Sequence, residues 1–326
     1  LWLAQLIARR TTVLDIKGII PALITPSDEN GGLSLDALPG LLAFLLQRQV
    51  HGLFVGGSTG EGFFLSLQER KQLLEEVVQV VDRAVPVIAH VGGMNFREVL
   101  ELTEHAAKTG ADAVSSVIPF YYPYGISEIS DYYAALVRTS NLPLIAYALG
   151  HTASASLTPG QLLDRVLQVE GVYGVKFTYS DLLQMQKLQQ SAPDGFRFYG
   201  GFDSLALPMF SAGVCGMIGS NYNSLPEVWL ALYDAYLRSD MARSQALQKR
   251  LTYYMKTLFP IPPIARARFL LQLRGVQVGR ARWPQRDLSK EEEVSLWRLW
   301  QEVQADPLLQ TIQQSVPLAS PPAGSV

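Results

Sequence analysis

Eight short β-branched or apolar runs, each lying ahead of a pattern with apolar residues at helical spacing, predict an α/β protein built on a (β/α)8 TIM barrel. Two further observations support that reading. The units recur at roughly 25 to 35 residues over a span close to the ~250 residues such a barrel takes. After the eighth run the texture becomes helix alone, which predicts a C-terminal helical appendage. A doubly wound open sheet is the competing architecture, but no GxGxxG follows the first run.

The elements follow in order. GIIPALI (18–24) precedes LDALPGLLAFLLQR, GLFVGG (52–57) precedes SLQERKQLLEEVVQVV, and VPVIAHVGG (85–93) precedes FREVLELTEHAAKTG. ADAVSSVI (111–118) leads to SEISDYYAALVRT, and LPLIAYA (142–148) to TPGQLLDRVLQV. GVYGVKF (171–177) leads to SDLLQMQKLQQ, opened by a helix-start signal at Ser180 and Asp181, and FRFYGG (196–201) leads to DSLALPMFSAG. VCGMIGS (214–220) is the eighth run. Apolar runs of this length imply a parallel sheet covered on both faces. Four helical stretches follow, the last opened by Ser289 and Glu292 at capping-box spacing. The expected organisation is an N-terminal extension over 1–17, the barrel over 18–223, a helical domain over 224–304 and a disordered Pro/Ser/Ala-rich tail over 305–326. The apolar start LWLAQLIARR is too short for a membrane span and carries its charges on the wrong side for a secretory signal; it reads as an extra helix outside the core, with a basic, acid-poor mitochondrial presequence as the alternative.

A chain of 326 residues, 48% hydrophobic and 17% charged, can bury a large core. Its formal charge of -2 gives no footprint for nucleic acid or an anionic membrane, so a small-molecule partner is expected. The single cysteine, Cys215, excludes an intramolecular disulfide and a Cys-rich metal site, and fits a reducing, cytoplasmic compartment. His51, His90, His105 and His151 show no ligand spacing, so no metal is expected.

In this fold active sites lie at the C-terminal ends of the strands. Lys176 ends the sixth run and Tyr147 the fifth; Ser58, Thr59 and Glu61 follow the second, and Ser220 and Asn221 the eighth. All converge on one mouth. Apolar surroundings penalise an ammonium, and a neutral amine can attack a carbonyl to form a Schiff base. The stretch GGSTGEG can present N–H and hydroxyl donors to a carboxylate or phosphate, but lacks the GK[ST] ending of a P-loop. Together they suit a 2-oxo acid whose keto carbon faces Lys176.

The order GSTGE (57–61), IPFYYP (118–123), a strand ending at Tyr147, GVKFT (174–178), GGFDS (200–204) and GSNYN (219–223) resembles the dihydrodipicolinate synthase and N-acetylneuraminate lyase superfamily of class I aldolases, over residues 17–304. The resemblance implies a barrel with a C-terminal helical domain, a homotetramer, and neither metal nor organic cofactor beyond the covalent Schiff base. Position by position, it implies Lys176 as the Schiff-base lysine and Tyr147 as the proton shuttle. Ser58 and Thr59 would hold the substrate carboxylate and assist the relay, and Tyr121 would complete it from a neighbouring subunit. Thr178, Asp203, Ser204 and Ser220 would line the sugar-chain pocket, with Gly201 offering backbone. Thr178, Ser220 and Asp203 also read as caps of following segments, and Tyr121 as an interface residue.

Three departures bear on substrate. Ala148, Leu149, Gly150 and His151 replace the family's usual sequence after the tyrosine, and Thr152 stands where the synthases carry an arginine for their second substrate. Ser204 replaces an acidic residue that binds sugar hydroxyls in the lyases. The expected function is cleavage of a 2-oxo sugar acid, N-acetylneuraminate foremost, to pyruvate and an aldehyde, N-acetylmannosamine. The alternatives are a 2-keto-3-deoxy sugar acid aldolase, a catalytically inactive barrel serving as a scaffold, and a phosphate-dependent enzyme gripping its ligand at Gly200-Gly201 and Gly219-Ser220.

Overall fold

The computed structural model describes residues 15–149 and 159–309. Eight parallel strands, β1 (Gly18–Pro21), β2 (Leu53–Val55), β3 (Val87–His90), β4 (Ala113–Val117), β5 (Leu144–Leu149), β6 (Val172–Thr178), β7 (Arg197–Gly200) and β8 (Gly216–Gly219), pair in the order β1-β8-β7-β6-β5-β4-β3-β2. The remaining seam, between β1 and β2, closes through a parallel bridge from Ala22 to Phe54, with Leu23 N donating to Phe54 O at 2.8 Å. This is the (β/α)8 barrel that the alternating texture predicts.

Side-chain alternation along each strand sorts the core into an inside and an outside. Inside, Ile20, Phe54, Ile88, Ala113, Ile145, Tyr147, Tyr199 and Ile218 pack together. Outside, the other strand faces meet α1 (Leu38–Gln47), α2 (Leu67–Val81), α3 (Phe96–Thr109), α4 (Ile126–Ser140), α5 (Pro159–Val166), α6 (Leu182–Ser191) and α7 (Ala206–Ser211). Local signals start and stop these helices. Ser66 and Glu69 form a reciprocal capping box at α2, Asn95 caps α3, and Gly110 ends α3 in the left-handed region at φ 96. Asp181 caps α6 by accepting from Gln184 N, as its helix-start signal indicates.

After β8 come α8 (Pro226–Leu237), α9 (Met241–Leu258), α10 (Pro263–Leu273) and α11 (Lys290–Ala305), the last with the expected capping box of Ser289 and Glu292. α8 packs on β1 and α7 and so completes the outer ring, although the sequence reading assigns it to the appendage from residue 224. Both expected termini also reach into the packed body. Ile16, assigned to the extension, is fully buried inside the barrel, and its carbonyl accepts from Tyr199 OH at 3.0 Å. Beyond residue 305, Asp306 accepts from Tyr254 OH at 2.5 Å and Leu309 is fully buried. Apolar residues at isolated positions carry no periodicity, which is why neither was legible. Residues 1–14 and 310–326, on which the remaining extension and tail expectations fall, lie outside the described residues.

Glu227 on α8 anchors this closure. It accepts from Arg48 Nε at 2.7 Å and from Arg274 at 3.0 Å through Nη1, while Arg274 Nη2 makes a further close contact; all three side chains are buried. Burial pushes the Glu227 carboxyl up, but the guanidiniums of Arg274 and Arg48 outweigh it and hold it below its ordinary value. Removing one partner from such a group leaves charge buried without compensation. Glu227→Ala is therefore expected to cost about 3–5 kcal/mol in urea unfolding; a loss under about 1 kcal/mol would show that the arginines find other partners.

Candidate active site

β6 ends Lys176-Phe177-Thr178, and alternation sends Phe177 outward while Lys176 and Thr178 turn in. In register, Lys176 lies between Tyr147 on β5 and Tyr199 on β7. Lys176 is only 4% exposed, with Nζ 3.9 Å from the centroid of the Tyr147 ring and 4.6 Å from that of Phe54. Its near neighbours are aromatic faces, which attract a cation and accept a neutral amine as well.

The loop after β7 approaches from the other side. Gly201 N donates to Phe177 O at 2.9 Å, and a Cβ at Gly201 would lie 2.0 Å from Thr178 Oγ1 and 3.3 Å from Lys176 Cε. Only glycine allows that approach. Thr178 Oγ1 is itself buried, with no hydrogen-bond partner among the described residues.

Ser58, exposed, and Thr59, half-buried, sit in the tight loop that follows β2. Glu61 N donates to Ser58 O and Gly62 N to Gly57 O, both at 3.1 Å, and a Cβ at Gly62 would fall 2.0 Å from Gly56 O. Gly57 lies against the Phe54 ring, which Lys176 also approaches. Glu61 departs from the sequence reading: its carboxylate turns away from the mouth into a buried cluster with Arg268 and Arg282.

Asp203 is 9% exposed and already engaged. Its Oδ2 accepts from Asn221 Nδ2 at 2.7 Å, Asn221 N at 3.1 Å and Ser220 Oγ at 3.5 Å, and Arg266 supports Asn221 at 3.2 Å. Burial pushes the Asp203 carboxyl up, against the hydrogen bonds from Asn221 and the nearby charges of Arg266 and Lys176. It lies in a 3-10 turn rather than serving as a cap. Its Oδ1 crowds Gly219, where a Cβ would come within 1.9 Å, which sets a carboxylate beside the Gly219-Ser220 end of the phosphate alternative. Ser204 is half-buried beside it, its carbonyl accepting from Gln248 Nε2 at 2.8 Å.

Lys176, Tyr147, Thr178, Gly201, Asp203 and Ser220 thus gather at one end of the barrel, with Ser58 and Thr59 in the adjoining loop. Tyr121 does not join them: it is 76% exposed after β4, against Tyr122. Gly150, His151 and Thr152 lie outside the described residues. Among the described residues no group of three His, Cys, Asp or Glu side chains could hold a metal ion.

A model of the dihydrodipicolinate synthetase family matches residues 15–303. The chain belongs to this family. It is 32% identical over 283 residues to an N-acetylneuraminate lyase of Rhizobium meliloti, covering 87% of this chain and 94% of that one. An N-acetylneuraminate lyase of Citrobacter koseri is 37% identical over 235 residues, 72% and 78% of the two chains. A solved dihydrodipicolinate synthase of Bacillus anthracis superposes with a TM-score of 0.82 at 28% identity, covering 89% and 99%. Membership in the dihydrodipicolinate synthetase family, with these relatives, supports a lyase of the class I aldolase kind.

His90, which the sequence reading sets aside, belongs to the same end of the barrel. Its ring lies 6.1 Å from that of Tyr147; Nδ1 is 3.2 Å from Gly56 O, and Nε2 accepts from Val117 N at 3.3 Å. These partners place the single proton on Nδ1. Burial pushes its pKa well below the ordinary value, with the charges of Arg70 and Lys176 adding. The unfolded chain takes up this proton below about pH 6.5 while the fold refuses it, so stability falls as pH falls from there toward the depressed value. Urea unfolding between pH 6.5 and 5 should show wild type losing up to about 1.4 kcal/mol per pH unit more than His90→Gln. Parallel pH dependences would mean that His90 takes up its proton in the fold.

Proposed function

We propose that this chain is a Schiff-base lyase that cleaves a 2-oxo sugar acid, N-acetylneuraminate foremost, to pyruvate and N-acetylmannosamine. The observation that carries this reading is the Lys176 amine, buried beneath the Tyr147 ring at the C-terminal end of the barrel. Neutral Lys176 adds to the C2 carbonyl, and loss of water gives an iminium ion that accepts the electrons of the breaking C3–C4 bond. Tyr147 takes the proton of the C4 hydroxyl while passing its own along Ser58 and Thr59 to the substrate carboxylate, from which it can return to the enamine, and the aldehyde departs. The remaining enamine takes a proton at C3 and is hydrolysed, releasing pyruvate and Lys176. No metal or organic cofactor enters these steps.

The names of the curated relatives support N-acetylneuraminate, and Thr152 in place of the synthases' arginine opposes the synthase reaction. A shorter 2-keto-3-deoxy sugar acid is the second reading, favoured by one observation: Asp203 is committed to Asn221 and Ser220, and Ser204 beside it is neutral. The hydroxyl-binding end then offers no free charged acceptor. The inactive-scaffold reading has nothing to explain a lysine buried against two rings.

A homotetramer with Tyr121 entering the neighbouring subunit's site is part of the proposal. Its support is the run of exposed Phe63, Phe64, Phe120, Tyr121 and Tyr122 on the loops around the mouth. A cytoplasmic location accords with the absence, among the described residues, of any helix long and apolar enough to cross a membrane.

The test is intact mass after borohydride treatment with pyruvate, N-acetylneuraminate or 2-keto-3-deoxygluconate. Wild type should gain a pyruvate-sized adduct that Lys176→Ala lacks, and the sugar acid that releases pyruvate names the substrate. Tyr147→Phe should retain the pyruvate adduct while kcat falls about 10²–10⁴-fold. No adduct on wild type would overturn the reading.

A further inference from the structure

The loop that carries Ser58 and Thr59 is fastened from behind by a part of the chain more than two hundred residues away. Glu61 ends that loop at φ 55, is 3% exposed, and has both carboxylate oxygens occupied. Oε1 accepts from Arg282 N at 2.7 Å and Gln285 Nε2 at 2.6 Å. Oε2 accepts from Arg282 Nη1 at 3.2 Å and makes a close contact with Arg268 Nη2. The arginines continue outward. Arg268 Nη2 donates to Thr25 O at 2.8 Å, and Arg282 donates to Thr25 O at 3.1 Å, Pro26 O at 3.1 Å and Gly31 O at 2.9 Å. One cluster thereby joins the loop after β2, the segment after β1 and the segment that follows α10.

Stability alone does not account for it. Taking a carboxylate and two guanidiniums out of water costs several kcal/mol per ion, and well-packed apolar side chains often do as well. A left-handed conformation at a non-glycine residue adds about 1–3 kcal/mol more. What such a cluster gives that apolar packing does not is one direction for each hydrogen bond, and hence one position for the backbone it holds.

We infer that Glu61, Arg268 and Arg282 are positioning residues that fix the Ser58–Thr59 loop for the substrate carboxylate, so that the chain after α10 takes part in substrate binding. This rests on the proposed Schiff-base reaction. None of the three reaches the reacting atoms; they act through the loop.

The test compares wild type with Glu61→Gln, and Arg268→Lys with Arg268→Met, by steady-state kinetics on the substrate identified above and by amide hydrogen exchange without ligand. Glu61→Gln should raise KM about tenfold or more and also lower kcat, because Ser58 and Thr59 serve the relay as well as the carboxylate, and should speed exchange at residues 58–62 while β3 and β6 keep their protection. Arg268→Lys should restore part of what Arg268→Met loses, and it serves in place of Glu61→Gln if that variant does not fold. Unchanged KM with unchanged exchange at 58–62, or exchange that rises evenly along the chain, would overturn the inference. If wild type forms no pyruvate adduct, the reaction fails and the exchange comparison alone decides whether the cluster holds the loop.

Discussion

Holding an amine inside the end of a barrel, against the faces of Tyr147 and Phe54, is the constraint around which the other polar groups are arranged. Aromatic rings set among aliphatic side chains are what the barrel interior brings to that amine. The groups around Lys176 carry little free charge. His90 is kept neutral chiefly by burial, with Nδ1 facing Gly56 O and Nε2 accepting from Val117 N. Asp203, the nearby acid, is wrapped by the amides of Asn221. In the proposed reaction the nucleophile stands where strand alternation, a neighbouring glycine and two rings coincide.

The supports for this arrangement come largely from one helix. Arg266 reaches Asn221, which holds Asp203; Arg268 reaches Glu61, which closes the loop after β2; Arg274, just past the helix end, reaches Glu227 and the Ser224 carbonyl. α10 therefore braces the loops after β1, β2 and β8 at once. Its apolar residues pack into both outer clusters, Leu270 and Leu273 into one and Ala267 and Leu271 into the other. In this molecule the helices after β8 share the barrel's core.

How much of this the sequence discloses follows from the range of each interaction. Strand ends are local, so Lys176, Tyr147, Ser220 and Asn221 could be placed at one mouth from periodicity and the barrel rule, while Thr178 and Gly201 came from the family resemblance. Capping is local too, and Ser289 with Glu292 was readable from spacing. Glu61 was placed with Ser58 and Thr59 by the same logic and points elsewhere, because its partners lie 207 and 221 residues further along the chain. His90 looked like one of four scattered histidines, since its two partners are backbone groups that no motif announces. Ile16 and Leu309 are single apolar residues without a period, and only the assembled barrel shows the spaces they fill.

The polar atoms left over at the mouth bear on how the proposed reaction would select its substrate. Thr178 Oγ1 is buried with no hydrogen-bond partner among the described residues, and a buried hydroxyl left unpaired costs about 1–3 kcal/mol. A hydroxyl on the incoming sugar acid would meet that need beside the Schiff-base carbon, because Gly201 brings Thr178 and Lys176 together. Discrimination built this way is strong against a substrate lacking the hydroxyl, since the site's own group then stays unpaired. It is weak among substrates that differ further along the chain, where Ser204 and the engaged Asp203 offer only neutral or occupied groups. In the proposed lyase, selectivity would therefore be concentrated near the reacting carbons and relaxed toward the far end of the sugar.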